Sequence, residues 1–205
     1  MTVDSVQLTV ILQFGAIVGD GFPVPHITKI NMRRLASKDT RPLQKYKGAV
    51  KMCMVCDRIE MIKNGANPYF VKELETGYVV IGDNQHFYGY TLFLYKEHGN
   101  KTELFHIDTA ERLKFLEEMS IVAEAVSKAF GVDKMNYELL GMGDDHLHWH
   151  LYPRVDGDIE NYGNNGRGPV WWYPPEKMYS DENRPSEKEL TEMKRKLLDE
   201  LDKLV

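Results

Sequence analysis

Residues 146–154 read His-Leu-His-Trp-His-Leu-Tyr-Pro-Arg, and three of the seven histidines in the chain stand at alternate positions of this stretch. In a β-strand, alternate side chains point to the same face and successive residues rise by ~3.3 Å. A helix would separate the three imidazoles, because it brings together residues that are three and four apart. We therefore predict a half-buried strand with His146, His148 and His150 in one polar row and the apolar residues between them facing the core.

The spacing of this row limits the chemistry that it can perform. The outer imidazoles would start ~13 Å apart at the backbone, whereas a zinc–nitrogen bond is ~2.0 Å long, so the three rings would not close on one metal ion. Two neighbouring rings could share a metal ion or a phosphate group. The middle residue, His148, has a potential donor on each side, and a neutral imidazole can act as a nucleophile near pH 7. His148 is therefore a candidate for covalent catalysis on phosphorus; the alternative is that the histidines are incidental to packing.

The composition is that of an ordinary folded enzyme. The chain has 205 residues, of which 42% are hydrophobic, which is enough for one substantial domain with extensions. Its net charge of −5 argues against a nucleic-acid partner. No apolar run approaches the ~20 residues that span a bilayer, and the apolar stretch Val6–Val18 is not preceded by a basic segment. Two cysteines provide no disulfide framework. We expect a cytoplasmic location and no membrane partner.

Turn and capping signals divide the chain into three parts. Residues 1–51 are expected to form a poorly ordered N-terminal extension without catalytic residues. Residues 52–175 contain a long helix that Asp108 opens and Gly131 ends. Five strands are predicted in the same part: Phe70–Glu73, Tyr78–Gly82, Tyr90–Tyr95, Asn136–Leu140 and His146–Arg154. Residues 176–205 form a tail with a second helix. This order predicts an α+β fold with an antiparallel sheet.

Several of these features resemble the histidine triad (HIT) family of nucleotide hydrolases and transferases. The family signature, His-apolar-His-apolar-His followed by two apolar residues, is matched by His146–Tyr152. Tyr78–Asp83 and Gly89–His98 look like the paired central strands of the family, and Cys53–Cys56 stands where many members carry a Cys-x-x-Cys pair. The resemblance covers about residues 52–175. It implies an antiparallel sheet with a long helix packed on it and, in this chain, an additional C-terminal helix.

The resemblance also implies a reaction. In the family the middle histidine forms a nucleotidyl intermediate, so His148 would attack the α-phosphorus of a dinucleoside polyphosphate, such as diadenosine tetraphosphate, or of a nucleoside phosphoramidate. His150 would donate to the phosphate oxygens and steady the developing charge. Asp83 falls where members hold the ribose hydroxyls, although a turn-stabilising role is equally compatible with its position. Asn136 could contact the phosphate or the sugar. Many relatives are homodimers, and we expect the same here.

The cysteine pair points to a separate site. In zinc-containing members of the family, the pair is completed by two histidines, which correspond here to His98 and His146. Cys53, Cys56, His98 and His146 would then make a closed tetrahedral set, which is typical of structural Zn²⁺. Reduced cysteines without a metal, and redox use of the pair, are the alternatives. No organic cofactor is expected.

One departure from the family pattern leaves two other classes of function open. Many relatives carry a Ser or Gln a few residues before the triad, whereas this chain has Asp144-Asp145. A carboxylate beside a polyphosphate would repel it unless it were protonated or turned away. The pair therefore supports a nucleotide-binding sensor or scaffold without turnover. A metalloenzyme that uses His-x-His as catalytic ligands is the other alternative.

Overall fold

The computed structural model describes residues 53–159, 169–170 and 173–205. The predicted extension of residues 1–51 lies outside these described residues. The helices and strands follow one another in the order α1 (Met54–Lys63), β1 (Phe70–Glu73), β2 (Gly77–Ile81), β3 (Thr91–Tyr95), α2 (Thr109–Phe130), β4 (Lys134–Glu138), β5 (His148–Arg154), α3 (Pro175–Met178) and α4 (Glu187–Leu201). None of the described helices is long and apolar enough to cross a lipid bilayer.

The five strands form one antiparallel sheet in the order β1-β2-β3-β5-β4. The predicted α+β fold, with an antiparallel sheet, a long helix and a C-terminal helix, is confirmed. The histidine strand β5 lies between β3 and β4, and its register places His148 opposite Leu94 and His150 opposite Leu92. This strand begins at His148, two residues later than predicted. The reason is local, since the backbone N–H of His146 donates to the side chain of Asp144 instead of to a neighbouring strand.

One face of the sheet is buried under α2 and α4. The side chain of Asp108 caps the start of α2, and Gly131 ends that helix at a φ of 66°. Ser186 and Glu189 form a capping box at the start of α4. Helix α2 packs against β3, β4 and β5, and α4 packs against β1, β2 and α2. Their shared core includes Val79, Ile81, Phe93, Leu151, Phe115, Val122, Val126, Leu190, Met193 and Leu197.

The opposite face of the sheet carries α1 and the histidines. Val55 and Ile59 of α1 pack in a second apolar cluster against side chains from the central strands, namely Tyr78, Val80, Leu92, Leu94 and Tyr152. Leu147 and Leu151 belong to the first core, while Trp149 packs against its margin. The predicted alternation therefore holds along this stretch: apolar residues face α2, and histidines face α1.

Candidate functional site

His148 is the residue whose geometry is most informative. Its side chain is buried, with 8% of its surface exposed, and its Nδ1 atom lies 2.6 Å from the backbone carbonyl oxygen of His146. A carbonyl oxygen can only accept a hydrogen bond, so Nδ1 must carry the ring proton. The lone pair of the neutral ring is therefore on Nε2. Among the two ring nitrogens of His148, only Nε2 is available as a nucleophile.

His150 lies beside His148 with the two ring centroids 4.7 Å apart. Its Nδ1 atom is 2.6 Å from the hydroxyl oxygen of Tyr90. Burial, reinforced by the neighbouring His148, lowers the pKa of His150 to about 3 from an ordinary value of 6.5. The ring is consequently neutral near pH 7, with one nitrogen that donates and one that accepts. A neutral ring of this kind can donate a hydrogen bond to a phosphate oxygen without carrying a charge of its own.

The four predicted metal ligands form one cluster. The ligand atoms of Cys53, Cys56, His98 and His146 all lie within 4.8 Å of one another. The Nε2 atom of His146 lies 2.7 Å from the carbonyl oxygen of Tyr95 and must donate to it, so the Nδ1 lone pair faces the two sulfur atoms at 3.5 and 3.4 Å. The Nδ1 atom of His98 lies 3.2 Å from the sulfur of Cys56.

The donor chemistry of this cluster fits zinc. Two thiol sulfurs and two imidazole nitrogens converge from three separate parts of the chain: the start of α1, the segment after β3 and the segment before β5. Such a set gives a closed tetrahedral site, which is the pattern of structural rather than catalytic zinc. Without a metal, burial raises the pKa of the Cys53 thiol to about 12, so metal binding would have to displace its proton.

The Asp144-Asp145 pair turns toward the cysteine and histidine cluster. Asp144 accepts hydrogen bonds from the thiol of Cys53 at 3.3 Å, from the backbone N–H of His146 at 3.2 Å and from that of Val55 at 3.3 Å. Asp145 pairs with the Nε2 atom of His98 at 3.3 Å. The expected conflict between these carboxylates and a polyphosphate on His148 is therefore reduced, because both acids are committed to the neighbouring cluster. Asp144 is also buried, whereas Asp145 is exposed.

Asp83 follows β2 and is held by a residue that sequence analysis did not identify. Both oxygens of its carboxylate pair with the guanidinium of Arg58 from α1, and one of these contacts measures 2.8 Å. Arg58 belongs to α1, which packs on the face of the sheet that carries the histidines, so the ion pair lies on that side. Asn136 lies on β4 opposite Tyr152, where it is half-buried. Asn136 thus lies on a strand that pairs with the histidine strand, whereas Asp83 follows β2, which β3 separates from β5.

Three further residues near His150 were missed by sequence analysis. Tyr90 and Tyr152 stack at 4.3 Å, and Tyr90 contacts His150. Glu138 stands opposite His150 in the β4–β5 register and accepts a hydrogen bond from the backbone of Val170 at 2.9 Å. The signal for Tyr90 and Glu138 is strand register, which becomes readable only when β5 is known to pair with both β3 and β4. Tyr152 follows His150 by two residues on β5, so the alternation of side chains along one strand places it on the same face.

Arg154, the last residue of the histidine stretch, is buried. Its guanidinium pairs with Asp158 at 2.6 and 2.7 Å and lies over the ring of Phe87. It stabilises the end of β5 and the turn that follows.

Solved structures of histidine triad proteins share this fold. One from Sinorhizobium meliloti 1021 has a TM-score of 0.54 and 21% identity, and the match covers 64% of this chain and 87% of that one. One from Marinobacter aquaeolei VT8 has a TM-score of 0.54 and 25% identity, over 66% and 90% of the two chains. A hypothetical histidine triad nucleotide-binding protein from Sulfolobus tokodaii strain7 has a TM-score of 0.54 and 16% identity, over 73% and 93%.

No protein-family model and no curated protein matches the sequence. The resemblance to the histidine triad family is therefore confirmed at the level of the fold, by structures that are 16–25% identical to this chain.

Proposed function

We propose that this protein is a nucleotidyl hydrolase that acts through a covalent nucleotidyl intermediate on His148. The leading substrate is a dinucleoside polyphosphate such as diadenosine tetraphosphate, and a nucleoside phosphoramidate is the second. One observation carries the proposal: the hydrogen bond from Nδ1 of His148 to the carbonyl of His146 leaves the Nε2 lone pair free. The histidine triad fold supports a nucleotide-binding or hydrolase-type protein.

The reaction has two displacement steps. In the first, Nε2 of His148 attacks the α-phosphorus, an N–P bond forms, and the bond from phosphorus to the leaving group breaks with its electron pair. A phosphate leaving group keeps that pair as an oxyanion, and the amine of a phosphoramidate takes a proton from water as it leaves. The proton on Nδ1 stays in its hydrogen bond to the carbonyl of His146, which steadies the positive charge that develops on the ring. In the second step, water attacks phosphorus, the N–P bond breaks with its electron pair returning to Nε2, and the water proton passes to solvent. The products are a nucleoside monophosphate and the free enzyme.

The remaining polar groups would bind the nucleotide. His150 would donate its one N–H to a non-bridging phosphate oxygen, and Asp83 would accept from the ribose hydroxyls. Arg58 supports this role for Asp83, because a two-point ion pair fixes the carboxylate plane while lone pairs remain for the sugar. Asn136 would contact the phosphate or the sugar from the edge strand. No organic cofactor takes part in this reaction.

The cysteine and histidine cluster would hold a structural Zn²⁺ bound by Cys53, Cys56, His98 and His146. The metal would supply a cross-link between α1 and the segments that lead out of β3 and into β5. The carbonyl of His146, the same residue whose side chain faces the cluster, accepts the hydrogen bond from His148. A fixed His146 would therefore hold the nucleophile in position.

We also propose a homodimer in the cytoplasm. In the described sheet β4 is an edge strand, so one of its two sides has no strand partner within the described residues. Such an edge can pair with a second copy of the same chain.

The two rival functions lose support from the site. The sensor hypothesis was favoured by Asp144-Asp145, and both acids face the metal-ligand cluster. A His-x-His metalloenzyme needs a third ligand beside His148 and His150. In the described part of the chain, the single group of three or more candidate ligands is the cluster of Cys53, Cys56, His98 and His146.

The direct test is intact-mass spectrometry after rapid mixing with diadenosine tetraphosphate and acid quench. Wild-type protein should gain one nucleotidyl group, and His148→Ala should gain none. His106→Ala is the matched control, since His106 hydrogen-bonds near the surface to Thr102 and should not affect the adduct. Turnover of both substrate classes without an adduct, or an adduct that persists in His148→Ala, would show that the covalent mechanism is wrong.

A further inference from the structure

His148 and His150 lie on the same face of β5 with their ring centroids 4.7 Å apart, so the structure must explain why one ring rather than the other would be the nucleophile. Either ring could attack phosphorus if its Nε2 atom carried a lone pair. Either could instead donate a hydrogen bond if its Nε2 atom carried the proton. What separates a nucleophile from a donor is therefore the tautomer, and the tautomer is set by the group that meets Nδ1.

The Nδ1 atoms of the two rings have different kinds of hydrogen-bond partner. The partner of His148 is a backbone carbonyl, which can only accept. The partner of His150 is the hydroxyl of Tyr90 at 2.6 Å, which can donate. A hydroxyl that donates to Nδ1 leaves the ring proton on Nε2, the reverse of the arrangement in His148.

The surroundings of Tyr90 favour donation toward His150. Tyr90 is 7% exposed, and burial raises the pKa of its phenol above the ordinary range, so the hydroxyl keeps its proton. The hydroxyl of Tyr152 lies 3.5 Å from the same Nδ1 atom, and burial raises the pKa of Tyr152 as well. Two hydroxyls that keep their protons thus converge on Nδ1 of His150, and an unprotonated Nδ1 is the acceptor that both can use.

Packing holds Tyr90 in this position. Its ring is parallel to that of Tyr152, with centroids 4.3 Å apart and 5° between the planes. Gly82 also lies against the Tyr90 ring, and a Cβ atom at this position would overlap that ring. Tyr90 also precedes β3 at the point where the β3–β5 register sets it opposite Tyr152. The packing of the Tyr90 ring therefore holds its hydroxyl at a fixed position beside Nδ1 of His150.

We propose that Tyr90 is a positioning residue that holds His150 in the Nε2–H tautomer and so makes His150 the phosphate donor and His148 the nucleophile. This inference rests on the proposed function for its consequence in the reaction. The tautomer itself is a property of the protein without substrate.

The test compares Tyr90→Phe with wild type by ¹⁵N NMR of the histidine rings in the unliganded protein. In wild type, Nδ1 of His150 should resonate as an unprotonated acceptor and Nε2 as a protonated nitrogen, while His148 shows the reverse pattern. Tyr90→Phe removes one oxygen and keeps the stacked ring, and it should shift both His150 nitrogens toward a mixture of tautomers. Tyr88→Phe is the matched control, because Tyr88 is 52% exposed and packs on Phe130.

A wild-type spectrum with the proton on Nδ1 of His150 would overturn the proposal, and so would an unchanged His150 pattern in Tyr90→Phe. The wild-type spectrum decides the question even if the variant fails to fold. A merely structural role for Tyr90 would change thermal stability and leave the tautomer as it was.

The kinetic arm uses diadenosine tetraphosphate and the rapid-quench assay. Tyr90→Phe should slow formation of the adduct about tenfold, the loss expected for one well-placed hydrogen bond, with the adduct still on His148. No adduct in wild type would refute the proposed function while the NMR result stands. A normal adduct rate in Tyr90→Phe would refute the role of Tyr90 while the function stands.

Discussion

The two ends of the histidine stretch use the same side chain in opposite ways. His146 donates through Nε2 to the carbonyl of Tyr95 and presents Nδ1 to the sulfur atoms of the cluster. His148, two residues later, donates through Nδ1 to the carbonyl of His146. Its Nε2 lone pair is the one that would attack phosphorus in the proposed function. In each case a backbone carbonyl takes one nitrogen and leaves the other for chemistry. The comparison teaches that the backbone partner, rather than the residue type, decides which atom of an imidazole is functional.

The surroundings of the two ends differ in charge as well. Asp144 and Asp145 supply carboxylates to the Cys53–His146 cluster, which suits a bound cation. His150 is surrounded by the phenols of Tyr90 and Tyr152, which suit a phosphate because they bring no negative charge. In the proposed function, the metal site at His146 and the phosphate site at His150 are thus four residues apart along the chain.

Loss of the nucleophile should have the largest effect. His148→Ala should lower turnover of diadenosine tetraphosphate by at least about 10³-fold, because no other described ring presents an Nε2 lone pair fixed by a carbonyl at Nδ1. Steady-state release of nucleoside monophosphate measures this, with His106→Ala as the control. Retention of more than a tenth of the activity in His148→Ala would show that His148 is not the nucleophile.

Breaking the cluster should destabilise the protein. Cys56→Ser removes one sulfur ligand, and we expect loss of bound zinc and a fall in stability of about 3 kcal/mol, or roughly 10 °C in Tm. Metal analysis and thermal unfolding measure the two effects. Wild-type protein treated with a chelator should reproduce the unfolding curve of the variant. Native protein that contains no zinc, despite reduced Cys53 and Cys56, would contradict the metal assignment.

Lowering the pH should destabilise the folded protein, because His150 is held in its neutral form. Its folded pKa is about 3 and its ordinary value is 6.5, so the unfolded chain binds an extra proton between these limits. Its share of the stability is therefore complete above about pH 6.5 and falls as the pH drops toward 3, by about 1.4 kcal/mol per pH unit. Urea unfolding from pH 7 to 4.5 should show a shallower loss for His150→Gln than for wild type. Equal slopes would mean that His150 is solvated.

The smallest effect is expected at the outer carboxylate. Asp145→Asn weakens the partner of His98 and should reduce zinc affinity about tenfold, as partners of metal-bound histidines commonly do. Competition with a chromophoric chelator measures the affinity. Asp181→Asn is the control, because Asp181 makes a similar but exposed pair with Arg184. An unchanged affinity in Asp145→Asn would confine the electrostatic contrast to Asp144.

Much of the fold was predictable because local patterns agree with it. The capping box at Ser186 and the alternation of His148, Trp149 and His150 each depend on nearby residues and on a fixed period. The metal-ligand set was predictable for another reason, since the family resemblance supplied His98 and His146 as partners of the cysteines. The predicted start of β5 was wrong because Asp144 takes the backbone N–H of His146.

The residues that were missed share a different property. Arg58 reaches Asp83 across 25 positions of the chain, and Tyr90 reaches His150 across 60. Neither pair has a local signature, because each depends on how α1 and β3 are placed beside β5. The sequence also did not show whether the carboxylates of Asp144 and Asp145 face a bound polyphosphate or turn away from it.

The amino-acid order alone established an alternating strand, a long and a C-terminal helix, and the identity of the side chains that could carry chemistry. These depend on periodicity and residue type, which are properties of short segments. The packed sheet added the tautomers of His146 and His148, because a ring nitrogen that lies within 3 Å of a carbonyl oxygen must donate to it. Tyr95 and Tyr90 reach their histidines through strand pairing, and no short segment contains that information.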